Sequence, residues 1–224
     1  MSFFKKILFS VIFIIVSGTS NADSVTVEGD TVSFTYDKAL TTLFGKPIID
    51  GNSLLFLPTN FKAQSLDGLD SGLTSDNFQL KIDALGGHHI SNFALTEKGH
   101  YLLNGQDAEV LALGGLRAVD VKAPLQEAVS NIKLVNPFVQ TGLLNRGDWV
   151  ATANLAFAPN TITSLYLSIE NILLAQTDSK HDIAFIDKNF VGVTITAVPL
   201  PTAVWLFGAG LMGLLSILKR RKMF

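Results

Sequence analysis

Apolar and polar residues alternate with a period of two along many short segments in the middle of the chain. The alternation is clearest over residues 31–36, 78–83, 163–170 and 190–197. Side chains on a β-strand point alternately to opposite faces, so this period predicts strands that bury one face. A further strand is predicted from apolar residues at five alternate positions: Trp149, Ala151, Ala153, Leu155 and Phe157.

Helix signals are weak in the same region, whereas turn signals are frequent. The best helical candidates, Asp37–Phe44 and Pro124–Ser130, cover about two turns each. Short strands separated by turns are typical of an antiparallel sandwich. We therefore predict one all-β domain over residues 23–197, an antiparallel β-sandwich of jelly-roll-like form, rather than two domains divided near Asn136-Pro137. The predicted turns are Glu28-Gly29-Asp30, Glu97-Lys98-Gly99, Asn104-Gly105, Gly114-Gly115 and Pro159-Asn160.

The first 22 residues have the organisation of an export signal. Lys5 and Lys6 precede an apolar run of ten residues, Ile7–Val16, and small residues then place Ser20 and Ala22 at positions −3 and −1 of a cleavage site. The apolar run is too short to span a hydrocarbon core of about 30 Å. We therefore predict a signal peptide over residues 1–22, which implies export by the Sec machinery and removal by signal peptidase.

The other end of the chain carries a second apolar segment. Residues 202–218 contain no charge, and four basic residues follow them: Lys219, Arg220, Arg221 and Lys222. A run of this length is at the short limit for a transmembrane helix. Because basic residues are retained on the cytoplasmic side, everything before Val198 is expected to lie outside the inner membrane.

The segment Val198-Pro199-Leu200-Pro201 joins the β region to this apolar run. Proline restricts the backbone to extended conformations and lacks an amide donor. We therefore expect the segment to stay outside the sheet, where another protein can reach it.

The pattern V-P-L-P-T-A-V-W-L-F-G-A-G-L-x-G-L-L followed by K-R-R-K resembles the PEP-CTERM protein-sorting signal, in its VPLP variant from Gram-negative bacteria. The resemblance covers residues 198–224 and includes Trp205, Gly208 and Gly210. It implies recognition by an exosortase, a membrane-embedded cysteine protease–transpeptidase, in organisms that make exopolysaccharide. Leu200 stands where the name-giving motif has glutamate, which leaves the exosortase subtype open. An ordinary C-terminal transmembrane anchor with a basic stop is the alternative.

Charge and cysteine content exclude several classes of function for the middle region of the chain. The chain has 17 basic and 19 acidic residues, and its mean hydropathy is +0.37. Excluding the six basic residues of the two ends leaves 11 against 19, a net charge of −8. Such a domain repels phosphates, which excludes nucleic-acid binding. The chain has no cysteine, which excludes disulfides, thiolate metal sites and cysteine nucleophiles.

The polar residues give no strong signature of a catalytic or metal site. Four histidines are present: His88, His89, His100 and His181. Adjacent histidines on a strand point to opposite faces, so the first two are a poor metal pair. A triad of His100 and Asp107 with a serine has no support, because no G-x-S-x-G segment marks a nucleophile. No metal, cofactor or enzymatic activity is predicted.

Two acidic segments are the remaining candidates for cation binding. Asp67, Asp70 and Asp76 crowd one segment, but their spacing differs from the D-x-D-x-D-G calcium loop. Solvated turns are therefore favoured over calcium sites. The same interpretation applies to the second segment, which contains Asp178, Asp182 and Asp187.

Aromatic side chains on the outside of a sandwich can stack on sugar rings. Of Tyr36, Tyr101, Trp149 and Tyr166, the last is the best candidate because it lies on a polar strand face. We predict an exported envelope or extracellular-matrix protein, structural or exopolysaccharide-associated, with an exosortase, the membrane and export machinery as partners. The alternatives are a carbohydrate-binding or glycoside-acting surface protein, and a permanently anchored single-pass membrane protein.

Overall fold

A computed structural model describes residues 23–39, 42–125, 127–157 and 162–199. Every regular element within these ranges is a β-strand, which confirms the predicted all-β class. The strands are β1 Ser24–Glu28, β2 Val32–Asp37, β3 Ile48–Asp50, β4 Ser53–Phe56, β5 Phe61–Leu66, β6 Gly72–Ala84, β7 His88–Asn104, β8 Glu109–Asp120, β9 Glu127–Asn131, β10 Lys133–Leu134, β11 Asn145–Ala156, β12 Ser164–Gln176, β13 Ile183–Lys188 and β14 Phe190–Pro199.

The strands form two antiparallel sheets, an arrangement consistent with a β-sandwich. The six-stranded sheet has the order β1-β2-β6-β12-β8-β9. The eight-stranded sheet has the order β10-β11-β7-β14-β4-β3, and β13 joins it by pairing with both β7 and β5. The long strand β7 is therefore central: it pairs with β11 on one side and with β14 and then β13 on the other.

One hydrophobic core receives the apolar strand faces of both sheets. Register aligns these faces: Phe78 in β6 lies opposite Ile169 in β12, which lies opposite Leu116 in β8, and all three are buried. The predicted strand face of β11 is confirmed for Trp149, Ala151, Ala153 and Leu155, which are buried. Phe157, the fifth predicted residue, lies just beyond the strand and is partly buried against the core. Since a slip of one residue would expose these side chains, burial fixes the register.

The two helical candidates are wrong. Asp37 ends β2, and the described part of the segment that follows forms turns. Glu127–Asn131 is strand β9, which pairs with β8 from Val119 to Gly115. Pairing with the edge of β8 satisfies the backbone of β9, and this tertiary partner overrides a weak local helix preference. No helix among the described residues is long and apolar enough to cross a bilayer; the predicted transmembrane helix over 202–218 lies outside them.

Two of the predicted turns are also wrong, whereas two others are confirmed. Chain reversals do occur at Glu28-Gly29-Asp30 and after Asn104, but Gly114-Gly115 lies within β8 and Glu97-Lys98-Gly99 within β7. At Gly114-Gly115 the missing side chains permit close approach, because added Cβ atoms would lie 2.1 Å from the Glu170 carbonyl oxygen and 2.3 Å from that of Ser130. Pro159-Asn160 lies outside the described residues.

A buried ion pair explains why β7 continues through Glu97. The Lys188 ammonium donates a hydrogen bond of 2.6 Å to Glu97 Oε2, and both side chains are 0% exposed. The ammonium also lies 5.2 Å from the centroid of the Phe61 ring and 5.6 Å from that of Trp149. Burial lowers the pKa of Lys188, an effect opposed by the charge of Glu97 and its hydrogen bond.

Gly99 keeps the same region closely packed. Trp149 Nε1 donates a hydrogen bond of 2.9 Å to the Asp187 carbonyl oxygen. A Cβ atom on Gly99 would lie 1.9 Å from that oxygen and 2.7 Å from Trp149 Nε1. The glycine is therefore required by the close approach of β13 and the indole to β7.

We expect Lys188→Met to lower the free energy of unfolding by about 3–5 kcal/mol, because it leaves the Glu97 carboxylate buried without its cation. Urea unfolding of the full chain, followed by tryptophan fluorescence, measures this loss. The double variant Glu97→Gln, Lys188→Met should recover part of it, since the unpaired charge is removed. The control is Lys98→Met, an exposed lysine next to Glu97 on β7, whose loss should cost at most about 1 kcal/mol through its contact with the Phe190 ring. Equal stability of Lys188→Met and the control would contradict the expectation.

We expect Gly99→Ala to cost about 1–3 kcal/mol, because the added methyl group overpacks the junction of β7, β13 and Trp149. Thermal unfolding of the full chain provides the measurement. Thr96→Ala, on the opposite face of β7, should leave the melting temperature nearly unchanged. A Gly99→Ala protein as stable as the wild type would show that the junction tolerates the methyl group.

Candidate functional site

The buried residues around the Glu97–Lys188 ion pair lie on three neighbouring strands, beneath the outer face of the eight-stranded sheet. On β11, β7 and β13 respectively, Trp149, Gly99 and Lys188 face the core. Because side chains alternate along a strand, the adjacent residue on each strand faces outward. These outward residues are Asp148, His100 and Asp187.

His100 lies between two carboxylates on this outer face. Asp187 Oδ1 accepts a hydrogen bond of 2.8 Å from the His100 backbone N–H and lies 3.1 Å from His100 Nδ1. Asp148 Oδ1 lies 3.7 Å from His100 Nε2. Asn189 Nδ2 approaches the ring at 3.4 Å. Asp187 thus positions both the backbone and the ring of His100, and directs Nε2 toward Asp148.

A second row of outward residues extends the site. Phe185 on β13 lies opposite Leu102 on β7, which lies opposite Arg146 on β11. Phe185 and Leu102 are partly buried, and Arg146 is exposed. All residues of the two rows except Asp187 line a shallow cleft of about 550 Å³, the outer cleft, together with Tyr101 and Gly147. Asp148 is the only carboxylate among these described lining residues.

A second cavity of about 420 Å³ lies beside the six-stranded sheet, where Tyr36 and Phe78 meet Lys38 and Lys46. Phe78 is buried in the core, and its ring centroid lies 6.0 Å from that of Tyr36. Its aromatic wall is thus part of core packing. The outer cleft is the better candidate site because its side chains project from three paired strands toward solvent.

The structure separates most of the residues singled out in the sequence. His88 and His89 have different environments, as predicted: His89 is buried, whereas His88 is partly exposed, with Nδ1 2.8 Å from the Leu85 carbonyl oxygen. The acid beside His100 is Asp187 rather than Asp107. Alternation within β13 is the only sequence signal that could have placed Asp187 on an outer face.

The four aromatic candidates are also distributed over different environments. Trp149 and Tyr101 are buried, and Tyr36 is partly buried. Tyr166 is 55% exposed on the six-stranded sheet, as expected from its polar strand face. Of the four, only Tyr101 contributes to the described lining of the outer cleft, and it is buried. Sequence reasoning missed Phe185, the partly buried aromatic residue of the same lining.

The acidic segments tie loops together at one end of the sheets. The Asp67 carboxylate accepts a hydrogen bond of 2.7 Å from the His181 N–H, and the Asp182 carboxylate accepts one of 3.3 Å from the Asp107 N–H. Ser179 Oγ donates to the Asp107 carboxylate at 2.8 Å. The carboxylates thus serve as acceptors for the chain's own donors.

The other acids of these segments lie elsewhere. Asp76 belongs to β6 and Asp187 to β13, whereas Asp70 is exposed in the loop before β6 and Asp178 accepts a hydrogen bond from Gln176. No group of three or more potential metal ligands occurs within the described ranges.

We expect millimolar calcium, or its removal by a chelator, to leave the melting temperature of the full chain unchanged. The physical reason is that the carboxylates of Asp67, Asp107 and Asp182 already accept hydrogen bonds from backbone and hydroxyl donors. A calcium-dependent rise of several degrees would contradict this expectation. Asp182→Ala should lower the melting temperature with or without calcium, since it removes the acceptor for the Asp107 N–H. Asp70→Ala, an exposed position, is the control.

Of the predicted sorting motif, only Val198 and Pro199 lie within the described residues. Val198 and Pro199 belong to β14 and lie opposite His89 and His88, beyond a register shift at Thr196/Ala197. The expectation that the whole segment stays outside the sheet is therefore wrong for these two residues. Pro199 is exposed at the end of the strand, where its missing N–H removes no interior hydrogen bond.

The remaining predicted residues of the addressing segments lie outside the described ranges. They are Ser20 and Ala22 of the cleavage site, Leu200, Pro201, Trp205, Gly208 and Gly210 of the sorting motif, and Lys219, Arg220, Arg221 and Lys222 of the membrane stop.

Comparisons with known proteins add no family to this description. No protein-family model and no curated protein matches the chain. One similar solved structure, described as bearing on the promiscuous specificity of carbohydrate-binding modules from the β-sandwich superfamily, is 9% identical and covers 78% of this chain and 97% of its own, with a TM-score of 0.17. A structure of the infectious bursal disease virus Gt strain is 9% identical and covers 75% and 52%, with a TM-score of 0.15. Neither likeness is close enough to carry an argument.

Proposed function

We propose that the chain is an exported protein whose β domain is delivered to the cell envelope or extracellular matrix by an exosortase-type system, in a structural or exopolysaccharide-associated role. The proposal includes a jelly-roll-like domain and one transmembrane helix over residues 202–218. The observation that carries it is the tail: the Val198–Pro201 motif, the uncharged run and the basic cluster follow one another without interruption.

The bounds of the β unit agree with this proposal. Strand β1 begins at Ser24, so cleavage after Ala22 leaves it whole. Strand β14 ends at Pro199, so a cut beyond that residue leaves the last strand whole. Because Pro199 is exposed, the strand end that precedes the proposed tail is accessible. The proposed processing sites therefore flank the folded unit and do not interrupt it.

The alternative of a glycoside-acting enzyme has less support. Canonical hydrolysis of glycosidic bonds uses two carboxyl groups that flank the scissile bond. Asp148 is the one carboxylate on the described lining of the outer cleft, and Asp187 is engaged with the backbone and ring of His100. This arrangement favours binding over hydrolysis.

We expect the protein isolated from wild-type cells of its producer to lack residues 1–22 and part or all of the segment beyond Pro199. Cells without exosortase should retain the C-terminal segment, because the proposed processing enzyme is absent. Intact-mass measurement on both preparations distinguishes the forms. Protein at the wild-type cell surface that still carries Phe224 would overturn sorting and favour a permanent anchor.

A motif variant sharpens this experiment. The double change Pro199→Ala, Pro201→Ala should leave the tail attached in wild-type cells, because the extended motif is lost. Pro124→Ala, an exposed proline outside the motif, is the matched control and should be processed normally. Normal processing of both variants would show that the prolines do not carry recognition.

A further inference from the structure

We propose that the outer cleft binds a neutral saccharide, through the apolar face of Phe185 and the polar groups of Arg146, Asp148 and His100. This inference names a ligand class for the β domain and does not depend on removal of the tail. It rests on the juxtaposition of an aromatic face, a hydrogen-bond donor and a carboxylate acceptor on three paired strands.

The apolar part of the cleft is held in place by the sheet. Phe185 lies directly opposite Leu102 in the β13–β7 ladder, and both side chains are partly buried. A pyranose ring presents a flat patch of C–H groups, which packs against an aromatic face in the way that apolar groups do in other sites. Because Phe185 is partly buried, its side chain is already restricted, which lowers the entropy lost when a ring packs against it.

The polar part of the cleft matches the chemistry of hydroxyl groups. A hydroxyl donates one hydrogen bond and accepts others, so a carboxylate next to a guanidinium satisfies both capacities. Asp148 and Arg146 are alternate residues on β11 and share its outer face, beside Leu102 and His100. Asp187 holds Nδ1 of His100, which leaves Nε2 on the side of Asp148 and the cleft.

Charge selects the kind of saccharide. Near the cleft the carboxylates of Asp148 and Asp187 are balanced by Arg146 and by Lys62, which lies opposite Asp187 on β5, whereas residues 23–197 as a whole carry a net charge of −8. A polymer of uronic acids approaches this domain against like charge, whereas a neutral hexose polymer does not. Neutral sugar rings are therefore the ligand class that fits both the side chains of the outer cleft and the negative electrostatic field of the domain.

The test measures binding of the full chain to dextran, galactomannan and laminarin as neutral probes and to alginate as an anionic probe. We expect binding to at least one neutral polymer and none to alginate. Phe185→Ala should weaken that binding about tenfold, because the stacking surface is lost. Asp148→Ala should weaken it as well, since a hydroxyl loses its acceptor.

Tyr166→Ala is the matched control, because it removes an exposed aromatic side chain from the six-stranded sheet. It should bind like the wild type. Loss of binding in Tyr166→Ala with normal binding in Phe185→Ala would overturn the assignment to the outer cleft. Binding to alginate as strong as or stronger than binding to the neutral polymers, or binding to none of the polymers, would overturn the ligand class. Circular dichroism of each variant verifies folding, and none of these outcomes depends on whether the tail is processed.

Discussion

The buried ion pair between Glu97 and Lys188 is the interaction on which the eight-stranded sheet depends. It lies at the point along one edge of β7 where the pairing partner changes from β14 to β13. The two residues are 91 positions apart in the chain. Two charges in a core destabilise the fold unless they meet, so the pair fixes how these strands assemble. Phe61 and Trp149 surround the ammonium and exclude water from it.

The same junction sets the geometry of the outer cleft. Lys188 and Asp187 are neighbours on β13, and inward anchoring of the first orients the second toward His100. The hydrogen bond from Trp149 Nε1 to the Asp187 carbonyl oxygen, together with the absence of a side chain at Gly99, fixes the spacing between the strands. A small polar site on a sheet face is thus positioned by packing on the opposite face.

The proposed sorting signals and the proposed binding site lie in different parts of the chain. The basic residues of the two ends accompany the apolar segments, and the net charge of −8 belongs to the β domain between them. The whole-chain charge of −2 therefore averages parts that the proposed processing separates. Since the outer cleft lies within the β domain, removal of both ends leaves its lining residues in place.

Local pattern was sufficient to predict the all-β class, the inward face of β11 and the exposure of Tyr166, because alternation and burial follow directly from side-chain spacing. Local pattern gave a wrong prediction where contacts with residues distant in sequence determine the conformation of a segment. Glu97-Lys98-Gly99 has the composition of a turn, yet Lys188 supplies a buried partner for Glu97 and Trp149 occupies the space that Gly99 leaves free.

The addressing segments were predicted from sequence alone, because charge, apolar length and proline are read along a single stretch of chain. The tertiary structure decided which residues form the outer cleft. His100, Asp148, Asp187 and Phe185 are separated along the chain, and only strand pairing brings them to one face. The physical reason is that pairing partners are selected by the shared core and the buried ion pair, which no local segment contains.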